Sequence, residues 1–149
     1  MPDAGDALFD DLLAVALSAA TGAAHILMGG FGQTRVDVTT KSSPTDMVSE
    51  MDRAAEAYVG RTLAYRRPDD AVIGEEGTTR DGTSGIRWVV DPLDGTTNYL
   101  FGVPAFAVSI AAELDDQSVV GVVVDPCRDE TWTAVFGRGA TCNDRPLRL

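Results

Sequence analysis

At 149 residues, with 44% hydrophobic and 23% charged residues, the chain has the length and composition of one globular domain able to bury a sizeable core. Its formal net charge of −11 argues against nucleic-acid binding and against docking on an anionic membrane. Two cysteines, Cys127 and Cys142, are too few for a disulfide framework, so reduced thiols and a cytoplasmic setting are expected.

Residues 12–31 hold no charged side chain apart from the titratable His25, which invites a signal-peptide or membrane-span reading. The flank before them is acidic (Asp3, Asp6, Asp10, Asp11) and the first basic side chain is Arg35, whereas a signal peptide needs a basic start. The stretch is also richer in Ala, Gly, Ser and Thr than a spanning helix. Leu8, Leu12, Val15, Ala19 and Ala23 recur at helical spacing and predict a core helix ending near Gly29-Gly30. His25, on this Ala-rich helix, reads as structural rather than as a ligand.

Arg35 to Thr40, with Val36 and Val38 alternating against polar residues, predicts a short strand, and Lys41-Ser42-Ser43-Pro44 a turn. Thr45 or Asp46 can cap a second helix running to about Tyr65, with Val48, Met51, Ala55, Tyr58, Val59 and Leu63 as its buried stripe. Arg66, Arg67 and Pro68 close it. Asp46, Glu50, Asp52 and Glu56 read as its solvated acidic face. Val72-Ile73-Gly74 is a short apolar run that ends in the carboxylates Glu75 and Glu76. Thr78 to Gly85 has the composition of a flexible loop.

Ile86, Trp88, Val89 and Val90 form an apolar strand that runs into Asp91 and Asp94, followed by the small-residue turn Gly95-Thr96-Thr97. A strand end is a rigid mount, and carboxylates fixed there suit a hard cation. Pro92 stiffens the turn and keeps Asp91 extended. Gly95 lets backbone approach a ligand, and the N–H groups of Gly95, Thr96 and Thr97 can face an anion. Asp, Pro, Gly and Thr are also ordinary turn residues, so the motif alone is weak. Its weight comes from Glu75 and Glu76, a second acid-bearing strand end that can converge on the same di-metal site. Ala105 to Glu113, Val119 to Val124 and Thr131 to Phe136 complete the strands, joined by tight turns at Asp115-Asp116-Gln117 and Gly137-Arg138-Gly139. Two helices and about six short strands predict an α+β domain: an antiparallel sheet with both helices packed on one face.

Taken together, Gly74-Glu75-Glu76-Gly77, the segment Trp88 to Tyr99 and Gly102-Val103-Pro104-Ala105-Phe106-Ala107-Val108-Ser109-Ile110 resemble the inositol monophosphatase family. Lys41 to Asp46, Asp52, Gly137 to Ala140 and Cys142-Asn143 match the same pattern, so the resemblance covers nearly all of the chain from about residue 7. The family's later Trp-Asp-x-Ala-Ala-Gly motif, with a further metal-binding Asp, has no counterpart. The resemblance therefore implies an N-terminal domain of a layered α/β sandwich, spanning residues 1–149, with the C-terminal domain absent.

What the resemblance implies for the site is specific. Glu75, Asp91 and the carbonyl of Leu93 would bind one Mg²⁺, and Asp91 would bridge to a second ion also held by Asp94. Thr96 and Glu75 would orient the attacking water. The amides of Gly95 and Thr96 would hold phosphate, and Asp94 a substrate hydroxyl. Lys41, Asp46, Asp52 and Glu76 would stand behind these as supporting residues. The implied partner is a small phosphorylated polyol, with inositol monophosphate foremost, and the full-length protein would be a homodimer. Histidinol phosphate, fructose bisphosphate and nucleotide phosphates are alternative substrates, and a truncated, non-catalytic assembly partner is the alternative role. Competing motifs fail on spacing. Asp91 and Asp94 are one residue too far apart for Asp-x-Asp, an EF-hand from Asp91 would need Glu where Gly102 stands, and no Walker lysine is present. Cys142 and Arg148 match Cys-x5-Arg, but the residues between them include an acid and a Pro and make a poor phosphate cradle.

Overall fold

In a computed structural model, residues 4–33, 44–75 and 77–148 are described. The strand expected at 35–40, Lys41 and Glu76 lie outside the described residues. Helix α1 (Ala4–Gly30) and helix α2 (Pro44–Arg66) end where expected, but α2 already includes Pro44, so Thr45 and Asp46 lie in its first turn and do not cap it. Pro suits the start of a helix, where its missing N–H costs nothing. Leu12, Val15, Ala19 and Ala23 of α1 are fully buried, and Leu8 packs at the edge of the same cluster. By length and composition α1 could cross a membrane, yet this stripe is spent on α2 and on the sheet. Small side chains along it let the two helices approach closely. On α2, Val48, Ala55, Val59 and Leu63 are buried while Met51 and Tyr58 pack partly exposed.

The sheet holds strands β1 (Ala71–Gly74), β2 (Gly77–Arg80), β3 (Ile86–Asp94), β4 (Ala107–Leu114), β5 (Gln117–Asp125), β6 (Glu130–Val135), β7 (Gly139–Cys142) and β8 (Arg145–Pro146). They lie in the order β2-β1-β3-β4-β5-β6-β7-β8. The α+β architecture is as expected, with two differences. First, β1 and β3 pair in parallel, with Ala71 opposite Arg87, Val72 opposite Trp88 and Ile73 opposite Val89. The other pairs are antiparallel. A parallel pair needs a long connection, and β2 with residues 81–85 supplies it. Second, part of the expected loop at 78–85 is strand β2. Its polar sequence hid it, but the Arg80 guanidinium donates to the carbonyls of Asp70 and Arg67, and the Thr79 hydroxyl to that of Val72. Beyond the three strands expected after residue 105, β7 and β8 form a last hairpin.

The hairpin turns follow directly from their residues. Asp115 and Asp116 have φ of 51° and 64°, and Asn143 and Asp144 have 49° and 64°. Two consecutive left-handed residues make the two-residue turn whose twist matches a hairpin, and Asn and Asp tolerate it best after Gly.

Alternation along the strands divides the sheet into two faces. Trp88 and Val90, Val108, Ile110 and Ala112, and Val120, Val122 and Val124 point one way, into the layer covered by α1 and α2. The opposite face is not polar. It carries Val89, Val123, Trp132 and Leu147, each between 37% and 46% exposed, around a shallow depression lined by Ala111, Gly121, Ala134 and Ala140. The two faces should respond differently to substitution. Ile110→Ala should cost about 2–5 kcal/mol in urea unfolding, whereas Val123→Ser should cost less than about 1 kcal/mol. Equal losses would mean that both faces are packed.

Candidate metal and phosphate site

Two strand ends build the site. Parallel pairing sets β1 and β3 running the same way, so their carboxyl ends emerge side by side. Continued two residues past Ile73, the register brings Glu75 level with Asp91. The Asp91 carboxyl lies within electrostatic reach of Glu75 and Asp94. Partial burial is the largest cause, and these two acids add to it: the Asp91 pKa is pushed up to about 6. The sequence suggested that the two acid-bearing segments converge; the register sets their ends side by side, with Glu75 level with Asp91 and Asp94 further along β3.

A bulge between Asp91 and Asp94 shapes the rest. Against β4, Asp91 sits opposite Ser109 and Asp94 opposite Ala107, with Pro92 and Leu93 in the irregular step. Pro92 lacks a ladder donor, so a bulge accommodates it, and the bend re-aims the acids that flank it. The Leu93 amide donates to Asp91 Oδ1 at 3.3 Å. The Leu93 side chain is buried, which anchors the turn, while its carbonyl accepts a long 3.3 Å bond from the Thr96 hydroxyl. Gly95 then adopts φ 89° as the cap of a short helix not foreseen from sequence, α3 (Thr96–Leu100). A Cβ there would stand 2.8 Å from the Ala105 carbonyl, so Gly is required on two counts. Thr96 opens α3, where the first amides have no partner inside the helix.

Behind the motif, α3 is tied down. The Tyr99 hydroxyl donates to the Leu27 carbonyl at 2.8 Å, and Phe31, Tyr99 and Phe106 form a ring cluster with centroids 4.9–5.6 Å apart. Asn98 donates to the Ala105 carbonyl and holds the return loop. Of the residues expected to support the site, Asp52 shares a polar cavity of about 280 Å³ with Glu75, Ser49, Arg53, Glu56 and Pro92. Asp46 lies exposed in the first turn of α2. His25 is exposed on α1. Burial, then Glu130, pushes the Cys142 thiol up, the reverse of what a nucleophilic cysteine needs.

Among the described residues no three His, Cys, Asp or Glu side chains are already gathered as a finished metal cage. The donor set nevertheless fits a hard divalent cation. It is all oxygen, it crowds carboxylates until one resists ionisation, and it offers the Leu93 carbonyl beside them.

The sequence comparisons bear on the same segments. The pattern of the inositol monophosphatase family matches residues 9–149. The chain belongs to the inositol monophosphatase family. It is 44% identical over 139 residues to an inositol-1-monophosphatase of Rhizobium meliloti, covering 93% of this chain and 52% of that protein. A Nus factor SuhB of Pasteurella multocida is 41% identical over the same shares. Among solved structures, the extragenic suppressor protein suhB of Bartonella henselae aligns with a TM-score of 0.81 at 39% identity, over 93% of this chain and 53% of that one. The chain thus spans about half the length of the family relatives it matches.

The raised Asp91 pKa gives a signed prediction. The folded chain holds this proton more tightly than the unfolded chain, whose carboxyl titrates near the ordinary value of 3.8. Metal-free stability from this group is therefore highest below pH 4, falls as pH rises to about 6, and stays low above it. Asp91→Asn should melt higher than the parent at pH 8 in chelator, with the difference closing towards pH 4. A variant that melts lower at pH 8 would mean that Asp91 is stabilised as a carboxylate.

Proposed function

We propose that this chain carries the metal and phosphate half of a Mg²⁺-dependent phosphomonoesterase, acting on inositol monophosphate or a similar small phosphorylated polyol. The observation that carries the reading is the parallel register of β1 and β3, which sets Glu75 level with Asp91, close before Asp94, at two adjacent strand ends. Structural turns have no use for three acids that repel one another. A site that takes an anionic ester into a chain of net charge −11 needs cations to reverse the local sign. Support comes also from the family, one of whose members is the inositol-1-monophosphatase of Rhizobium meliloti.

Glu75, Asp91, Asp94 and the Leu93 carbonyl would hold Mg²⁺, which acidifies water and neutralises phosphate charge. Glu75 and Thr96 orient the attacking water. The Thr96 hydroxyl already directs its proton to Leu93, which leaves its lone pairs to accept from that water. The amides of Gly95 and Thr96 grip phosphate oxygens, and Asp94 takes a hydroxyl of the alcohol. Asp52 lines the same polar cavity as Glu75. Phosphate release from inositol monophosphate across a Mg²⁺ titration, with and without lithium, tests the reaction. We expect weak, lithium-sensitive release from this chain, lost in Asp91→Asn. Turnover retained by Asp91→Asn would refute the assigned role.

A second reading, an assembly partner without turnover, is favoured by two observations: relatives named Nus factor SuhB, and the bare apolar sheet face. In the complete protein the remaining half and a homodimer contact would use such surface, in a cytoplasmic setting. Light scattering should show the 149-residue chain associating at micromolar concentration, less so with Val123→Ser and Trp132→Ser together. A monodisperse monomer with full turnover would contradict both the half-enzyme reading and the association.

A further inference from the structure

We infer that Asp70 is a positioning residue for the acidic site: its carboxylate locks the register of β1 against β3 and so keeps Glu75 level with Asp91. The inference rests on the metal-site reading above.

Asp70 immediately precedes β1 and is 1% exposed, a buried carboxylate at the opposite end of β1 from Glu75. Its two oxygens accept four hydrogen bonds. Arg67 Nε and Nη2 donate at 2.7 and 3.2 Å, the Ser84 hydroxyl at 2.6 Å and the Trp88 indole Nε1 at 2.8 Å. Those donors come from the residue just past α2, from the connection before β3 and from β3 itself. A buried charge survives only when its bonds are complete, so the partners cannot shift without orphaning it.

Register is the property at stake. The antiparallel neighbours β4/β5, β6/β7 and β7/β8 are joined by short turns, and such turns set pairing. No turn joins β1 to β3. Trp88 sits opposite Val72, two residues beyond Asp70, so the indole-to-carboxylate bond crosses the pair near its start. A slip of one residue would set Glu75 beside Val90 or Pro92 and turn its side chain to the other face. The two ends are on the order of 16 Å apart along the strand, too far for Asp70 itself to touch a metal held at Glu75 and Asp91. Trp88→Phe removes a register bond and changes no charge, so it separates geometry from the field of the buried Asp70 carboxylate.

Mn²⁺ is a suitable probe, titrated into the 149-residue chain and followed by electron paramagnetic resonance alongside thermal unfolding. Asp70→Ala and Trp88→Phe should each weaken Mn²⁺ binding about 10-fold at temperatures where circular dichroism shows folded chain. Asp70→Asn, which keeps an acceptor for the indole, should recover part of the loss. Arg138→Ala cuts ion pairs to Asp6 and Asp10 elsewhere on the molecule. It should lower the melting temperature and leave Mn²⁺ affinity within about 2-fold. Folded Asp70→Ala with parental affinity overturns the inference. Should that variant fail to fold, Trp88→Phe decides on the same criterion. A parent chain that ignores Mn²⁺ overturns the metal reading, and this inference with it.

Discussion

Everything in the site depends on one strand pair that no short turn enforces. β1 and β3 run parallel across an intervening strand and loop, and their shared direction brings two acid-bearing ends to one edge of the sheet. Burial of Trp88 between the sheet and the helices commits β3 to one face, and its indole N–H must then find an acceptor. Asp70 meets that need and carries Arg67 and Ser84 with it. Core packing and the placement of Glu75 are thus one constraint seen from two ends of the same strands.

At the far end the structure tolerates an electrostatic conflict. Glu75, Asp91 and Asp94 are held together although burial and mutual repulsion keep a proton on Asp91 well above the ordinary carboxylate range. Rigid devices hold them there: Pro92 in a bulge, Gly95 in the left-handed region against the Ala105 carbonyl, and Tyr99 fastened to α1. Local strain of this kind persists only where surrounding structure over-determines it. In the reading proposed above, a divalent cation would turn the same conflict into coordination, and the acids would make sense as a binding site where they make poor sense as a turn.

Much of this was legible in the sequence, for identifiable reasons. The stripes of α1 and α2 follow helical spacing, and strands β3 to β6 read as apolar runs between turn residues, so their faces and bounds could be placed. Asp91, Asp94 and Gly95 stood out as candidates because a strand led into them. What escaped were features decided by partners distant in sequence. Polar β2 is a strand because Arg80 and Thr79 bind backbone carbonyls near Asp70. The parallel sense of β1 against β3 has no local signature at all. Asp70 itself reads as a surface acid after Pro68-Asp69, and only its burial reveals the four bonds.

The second face of the sheet carries the last consequence. A sheet with one wet face should alternate apolar and polar residues, yet β5 reads Val119-Val120-Gly121-Val122-Val123-Val124 without interruption. Val89, Ala111, Ala134 and Trp132 continue the apolar surface onto neighbouring strands. Such strands are composed to be covered on both sides, while α1 and α2 cover one. The relatives are about twice as long, so they have polypeptide to spare for a second layer. The net charge of −11 opposes contact between like chains everywhere except where apolar area outweighs it. Under the association proposed above, acidity and an apolar face together would confine contact to that one surface, beside the sheet end where the β1 and β3 acids lie.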